Sequence, residues 1–188
     1  DIVNFWAGMG VDGFRCDMVE LVPADFFTWL IREIHKLHPG ITFIAEVYQK
    51  ELYSKYIREV GFDLLYDKSG MYDTVRAIVQ KNTDDSGVPV EAWQSAKKIT
   101  WNWQSLGDLQ PYMLNFLENH DEQRFASDFF GKDAVNAFAA LYASLYFNRA
   151  SFMIYSGQEI GERGMYQEGF SGKDGRSTIF DWYTSVKT

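Results

Sequence analysis

The sequence predicts an α/β fold on a parallel sheet, either an open doubly wound sheet or part of a (β/α)8 barrel. Short apolar runs alternate with longer amphipathic ones, strand then helix, five times over the 188 residues. Acidic residues stand where apolar runs end, and the C-terminal end of a strand is where a barrel keeps its chemistry. No G-x-G-x-x-G or Walker-type phosphate loop, the usual mark of the doubly wound class, is present.

The elements follow in order. Ile2, Phe5, Trp6 and Met9 recur at helical spacing before Gly8 and Gly10 close the segment, so the chain opens on the last turns of a helix. Gly13-Phe-Arg-Cys-Asp17 is the first strand. A helix over 24–37 has Phe26, Phe27, Leu30, Ile31, Ile34 and Leu37 as its apolar face and Pro39-Gly40 as its stop. Residues 41–45 are β-branched and apolar, as a buried parallel strand must be. Next come a helix over 50–60 ended by Gly61, a strand over 62–65 and a helix over 71–80. A polar surface loop at 82–90 leads to a helix over 91–103 and a strand over 112–117. Asp133 caps a long apolar helix reaching 147, and a fifth strand over 152–155 closes on Ser156-Gly157.

Composition narrows the function. With 46% hydrophobic residues and 4 prolines, the chain can bury a core, which excludes a disordered or low-complexity segment. The net charge of −8 repels phosphate backbones, so nucleic acid is not an expected partner. No apolar run approaches the ~18 residues of a membrane span. Cys16 is the single cysteine and has no internal disulfide partner, and 3 histidines supply no zinc ligand set. Aromatic residues make up 17% of the chain, enough to furnish a heavy core or a sugar-binding cleft. The chain starts without an initiator Met or a signal pattern and reads as part of a longer one, so localisation stays open.

Asp17 ends the first strand, Glu46 ends the second and Asp121 follows the fourth. Arg15 lies two residues before Asp17, on the same face of the strand, and a neighbouring cation keeps a carboxyl ionised, as a nucleophile must be. Glu46 follows the apolar run Phe43-Ile44-Ala45, and an apolar setting favours the protonated form that a general acid needs. One acid charged and one protonated is the division of labour for cleaving a glycosidic bond with retention, where the carboxyl groups stand ~5 Å apart. Adjacent strand ends, ~4.8 Å apart, can supply that separation. Arg15 with Asp17 is equally readable as a structural ion pair, and a lone strand-end acid as a cap.

The motifs add a resemblance. Gly10-Val-Asp-Gly-Phe-Arg-Cys-Asp-Met-Val-Glu20 resembles the fourth-strand motif of the alpha-amylase family, glycoside hydrolase family 13. Phe43-Ile-Ala-Glu-Val-Tyr48 resembles its fifth-strand motif, Phe116-Leu-Glu-Asn-His-Asp121 its seventh, and Tyr155-Ser-Gly-Gln-Glu-Ile-Gly161 the motif at the end of its eighth. The four stand in family order. The resemblance implies a partial (β/α)8 TIM barrel, with residues 1–188 forming the C-terminal five strands and their helices. It implies a retaining glycoside hydrolase acting on α-1,4-linked glucans or maltooligosaccharides, inactive as this stretch alone. By the same resemblance Asp17 is the nucleophile, Glu46 the acid/base and Asp121 a third catalytic acid. Arg15 holds Asp17 in its charged state and His120 is a further hydroxyl contact, while Tyr48, by its place after the second strand, is a candidate substrate-binding residue. A turn must begin at His120-Asp121 for both side chains to reach one sugar.

Departures from the family pattern shape the rest. The third-strand motif and the small domain that supplies most calcium ligands have no counterpart, so no cofactor is expected within these residues, with calcium possible in an intact enzyme. Many amylases carry Lys-His three and four residues past the nucleophile, and here those positions are Glu20 and Leu21. That keeps α-glucan transglycosylases and α-glucosidases as alternatives, alongside a catalytically inactive amylase-fold protein that binds carbohydrate. Open barrel edges make self-association an expectation. Tyr48 and Phe125 are candidate sugar platforms, whereas Trp93, Trp101 and Trp103 suit helix packing better. His35 and His38 are expected at the solvent, Cys16 in the packing, and the loop 169–176 is open to an active-site or a plain surface role.

Overall fold

The computed structural model describes residues 1–80, 97–132, 135–136, 138, 140–142 and 149–164. Five strands form one sheet in sequence order: β1 Gly13–Cys16, β2 Thr42–Ala45, β3 Leu64–Tyr66, β4 Met113–Phe116 and β5 Ser151–Met153. Every adjacent pair is parallel. The long connections between these short strands permit this pairing, because a parallel neighbour needs a crossover of a dozen residues or more.

Helices fill the connections from β1 to β4. α1 is Ile2–Gly8, α2 Ala24–Leu37, α3 Tyr53–Lys55, α4 Asp73–Gln80 and α5 Lys97–Leu106. The helix expected over 50–60 is composite: a 3₁₀ turn Lys50–Leu52, the short α3 and a π turn Tyr56–Val60, stopped by Gly61 at φ +97°. The third strand starts two residues later than its apolar run. Phe62 tilts into α2 against Phe27, with ring centroids 5.2 Å apart. Asp63 exchanges hydrogen bonds with Phe43, its carboxylate accepting that N–H at 2.8 Å. The loop at 82–90, Trp93, Asp133 and the loop 169–176 lie outside the described residues.

Alternation along the strands divides two cores between the two faces of the sheet. Phe43, Ala45, Leu65 and Met113 pack with Phe27, Ile31 and Ile34 of α2 and with Tyr56 and Val60. Tyr66, Leu114 and Phe116 pack with Met71, Tyr72, Phe125 and Phe130. Of the six apolar positions expected to line α2, Phe27, Ile31 and Ile34 are buried, whereas Phe26 and Leu37 are exposed beside Trp29. These exposed side chains line a groove of about 890 Å³ shared with Ile2 and Val3 of α1. Cys16 packs against the first core, and burial pushes its thiol up to about 11, which fits the packing role. His35 and His38 are half-buried at the surface and each is also bonded: His35 Nε2 lies 2.8 Å from the Ile41 carbonyl and His38 Nε2 lies 2.9 Å from Asn4 Oδ1.

Candidate active site

The β1–β2 register sets the first half of the site. Arg15 faces Ile44 and Cys16 faces Ala45, so Asp17 and Glu46 leave the sheet together at the C-terminal ends of neighbouring strands. The two chains stay joined beyond it, with Glu46 N–H donating to the Cys16 carbonyl at 3.1 Å and Val19 N–H to the Glu46 carbonyl at 3.3 Å. Between them Met18 takes the left-handed conformation at φ +40°, uncommon for a side chain with a Cβ. That turn aims its N–H at Glu46 Oε2, 2.9 Å away.

Arg15 spans both acids. Its Nη1 lies 2.5 Å from Asp17 Oδ1 and its Nη2 lies 2.7 Å from Glu46 Oε1. The guanidinium also sits over the Tyr66 ring, 5.4 Å from the centroid, so β3 fixes the cation from below. The two carboxyl groups differ in surroundings, with side chains 74% exposed for Asp17 and 2% for Glu46. The hydrogen bond from Arg15 holds the Asp17 carboxyl below the usual carboxylate range, in the direction expected for a nucleophile kept ionised. Glu46 is buried as expected, but in polar rather than apolar company. Besides Arg15 and the Met18 N–H, its Oε1 accepts the Tyr48 phenol at 2.9 Å. Burial, reinforced by the neighbouring Glu46, pushes the Tyr48 hydroxyl well above its ordinary range, so it stays a donor.

The second half comes from the segment after β4. The strand ends at Phe116, and Asn119 turns the chain by accepting the N–H groups of Asp121 and Glu122, each at 2.9 Å. That turn sets His120 and Asp121 side by side, with Nε2 3.3 Å from Oδ2, as their adjacency in sequence requires if both are to face one ligand. His120 acts electrostatically on Asp17, and Asp121 on Tyr48 and Tyr66, so the two halves converge. Below the turn Glu118 and Arg124, each 1% exposed, pair at 2.9 Å. Arg124 donates to the Ser156 carbonyl at 2.7 Å and lies over the Tyr155 ring, which ties this segment to the one after β5.

Arg15, Asp17, Glu46, Tyr48, His120 and Asp121 are thus brought to one end of the sheet. Phe125 is not: it is 1% exposed and packs tilted against Phe130 with centroids 4.1 Å apart, so it offers no sugar platform. Trp103 packs against the second core, whereas Trp101 is exposed with Lys98 Nζ 5.7 Å from its ring centroid. A further strand-end acid escaped the pattern. Asp67 follows β3 directly, fully buried, and accepts from Met71 N–H and Asn102 Nδ2 at 3.0 Å each and from Tyr53 Oη at 3.3 Å. Its place after Leu64-Leu65-Tyr66 was the available signal. Among the described residues no group of three or more His, Cys, Asp and Glu side chains is placed to hold a metal ion.

Comparison with known proteins identifies the family and the fold. The family model for the alpha amylase catalytic domain matches residues 1–182. Alpha-amylase MalA of Haloarcula japonica is 31% identical over 175 residues, covering 87% of this chain and 22% of the relative. Alpha-1,4-glucan:maltose-1-phosphate maltosyltransferase of Corynebacterium glutamicum is 37% identical over 65 residues, covering 35% of this chain and 10% of the relative. Among solved structures, an alpha-amylase of Anoxybacillus superposes with a TM-score of 0.73 at 22% identity, covering 96% of this chain and 38% of that one. The chain therefore spans a small part of each relative it matches, and the sheet is a partial (β/α)8 barrel. With the family model matching nearly its whole length, and strand-end acids converging as that barrel requires, the chain belongs to the alpha-amylase catalytic-domain family.

Proposed function

We propose that the whole protein carrying this chain, as residues 1–188 of its catalytic barrel, cleaves or transfers α-1,4-linked glucosyl units by double displacement. The observation that carries this reading is the single Arg15 guanidinium reaching Asp17 with one terminal nitrogen and Glu46 with the other. Two carboxyl groups held on one guanidinium stay close enough for the short separation that a retaining mechanism uses. Asp17, exposed and kept ionised, attacks the anomeric carbon. Glu46, buried and held from three sides, gives its proton to the leaving oxygen and takes one back from the incoming water or sugar hydroxyl. Asp121 and His120 bind hydroxyls of the same sugar, and Tyr48 keeps Glu46 in place while facing the substrate. The substrate in this reading is a maltooligosaccharide or α-glucan.

Maltoheptaose turnover by the whole protein, beside Asp17→Asn with products resolved by chromatography, tests the reading. The expected result is turnover by the wild type and a loss of about a thousandfold or more in the variant. Products longer than the substrate assign transfer, and shorter ones alone assign hydrolysis. Binding of maltoheptaose without turnover by the wild type would favour the inactive, carbohydrate-binding alternative and sink the enzyme reading.

A further inference from the structure

Glu20 has no part in the reading above, yet it is tied to the site more tightly than a solvent-facing acid needs to be. It stands on the 3₁₀ turn Val19–Leu21, three residues past Asp17, where many relatives by resemblance carry a cation. Here its Oε1 accepts two backbone N–H groups from the segment after β2, Tyr48 at 3.1 Å and Gln49 at 2.8 Å. With Met18 N–H on Glu46 Oε2 and Val19 N–H on the Glu46 carbonyl, four hydrogen bonds join the turn behind Asp17 to the segment bearing Glu46. Glu20 supplies the acceptor for half of them.

The residue between Glu20 and the chemistry is Tyr48, which is fixed at three points. Its N–H goes to Glu20, its carbonyl accepts Ser69 Oγ at 2.7 Å, and its phenol donates to Glu46 Oε1 at 2.9 Å. A side chain anchored at backbone N–H, backbone carbonyl and tip has little freedom, so the phenol direction follows from the backbone anchors. We infer that Glu20 is a positioning residue for acid catalysis, holding the Tyr48 backbone so that the phenol stays on Glu46 and aims its carboxyl at the leaving oxygen. The inference rests on the reading of Glu46 as the acid. In the step concerned, Asp17 forms its bond to the anomeric carbon, the bond from that carbon to the leaving oxygen breaks, and the proton on Glu46 passes to that oxygen.

A leaving group that needs no proton separates this role from a general loosening of the fold. The experiment compares kcat/KM of the whole protein on maltoheptaose and on α-maltotriosyl fluoride, whose fluoride departs largely unaided. Glu20→Ala is expected to lose about tenfold on maltoheptaose, the scale of one positioning hydrogen bond, and less than about twofold on the fluoride. Glu20→Gln keeps the accepting Oε1 and restores maltoheptaose turnover. Tyr48→Phe removes the phenol alone and reproduces the leaving-group pattern, so it decides the matter should Glu20→Ala fold poorly. Equal losses on both substrates, an unchanged Glu20→Ala enzyme, or a Tyr48→Phe enzyme without the pattern each overturn the inference alone. A wild type inert on both substrates overturns the acid assignment and the inference together.

Discussion

At the scale of single residues, Arg15 bears on the acidity range in which the site works. Its hydrogen bond lowers the Asp17 carboxyl, so the ionised form persists to lower pH than for an ordinary aspartate. Replacing Arg15 with Met removes that donor, and the acidic limb of the kcat/KM profile on maltoheptaose is expected to move to higher pH. The maximum should drop about a hundredfold as the cation is lost. An unmoved limb would mean that Asp17 is not the group titrating there. The acids themselves were legible in the sequence because three of them follow apolar strands with an arginine and a histidine beside them, within motifs in family order; any one alone reads as a cap. Their aromatic companions were not. Tyr48 reads in the sequence as a candidate sugar platform, and its phenol's bond to Glu46 is invisible there, because a side-chain bond within one residue pair has no periodic signature. Phe125 misled for the opposite reason: a polar neighbourhood in sequence hid a residue folded under its own turn against Phe130.

At the scale of elements, the segment after β4 is held by a buried ion pair instead of apolar packing alone. Arg124→Met leaves Glu118 without its cation and should lower the unfolding free energy by about 3–5 kcal/mol in urea titrations. Gly157 takes φ +87°, and a Cβ there runs into the Arg124 guanidinium, so Gly157→Ala should cost about 1–3 kcal/mol through the same contact. Burial pushes Glu118 up to about 7, against the pull of Arg124, from an ordinary 4.5. A carboxyl that binds its proton more tightly when folded stabilises most below its unfolded value. That contribution fades as pH rises through 7, and Glu118→Gln should flatten this part of the stability profile. The Asp67 network is built in the same manner, with Gly70 packed so closely on the Asp67 carboxylate and on Asn102 that no Cβ fits. Neither pair was legible from spacing, since Glu118 meets Arg124 across a turn and Asp67 meets Asn102 across the β3–β4 connection, distances that the sequence does not measure.

At the scale of the whole molecule, parallel pairing was legible in the five apolar runs separated by amphipathic crossovers, whereas strand order was not, since a doubly wound sheet fits the same rhythm and only the resemblance to a barrel family pointed to the order observed. Boundaries were not: β3 moved by two residues and the 50–60 helix broke into three kinds of turn, where contacts with α2 and Gly61 overrode local pattern. Among the described residues β1 and β5 each pair on one side only, and unpaired parallel edges template association. The isolated 188-residue chain is expected to elute as oligomers in size-exclusion chromatography with light scattering; a monodisperse monomer that unfolds cooperatively would contradict this. The division of the sheet into two cores also reaches the chemistry. Cys16, Val19, Ala45 and Val47, which flank Asp17 and Glu46, belong to one core, whereas Leu117, Phe125 and Ala126, which flank His120 and Asp121, belong to the other. Asp17 and Glu46 are therefore flanked by one core and His120 and Asp121 by the other, with Arg15 over the Tyr66 ring as one link between them. Lys68 sits between the two sides, 3.4 Å from Glu122 Oε1 and 5.7 Å from the Tyr48 ring centroid. Substitutions at buried positions of opposite cores that touch neither Arg15, Tyr66 nor Lys68 should combine independently, whereas a change at any of these three is expected to be felt on both sides.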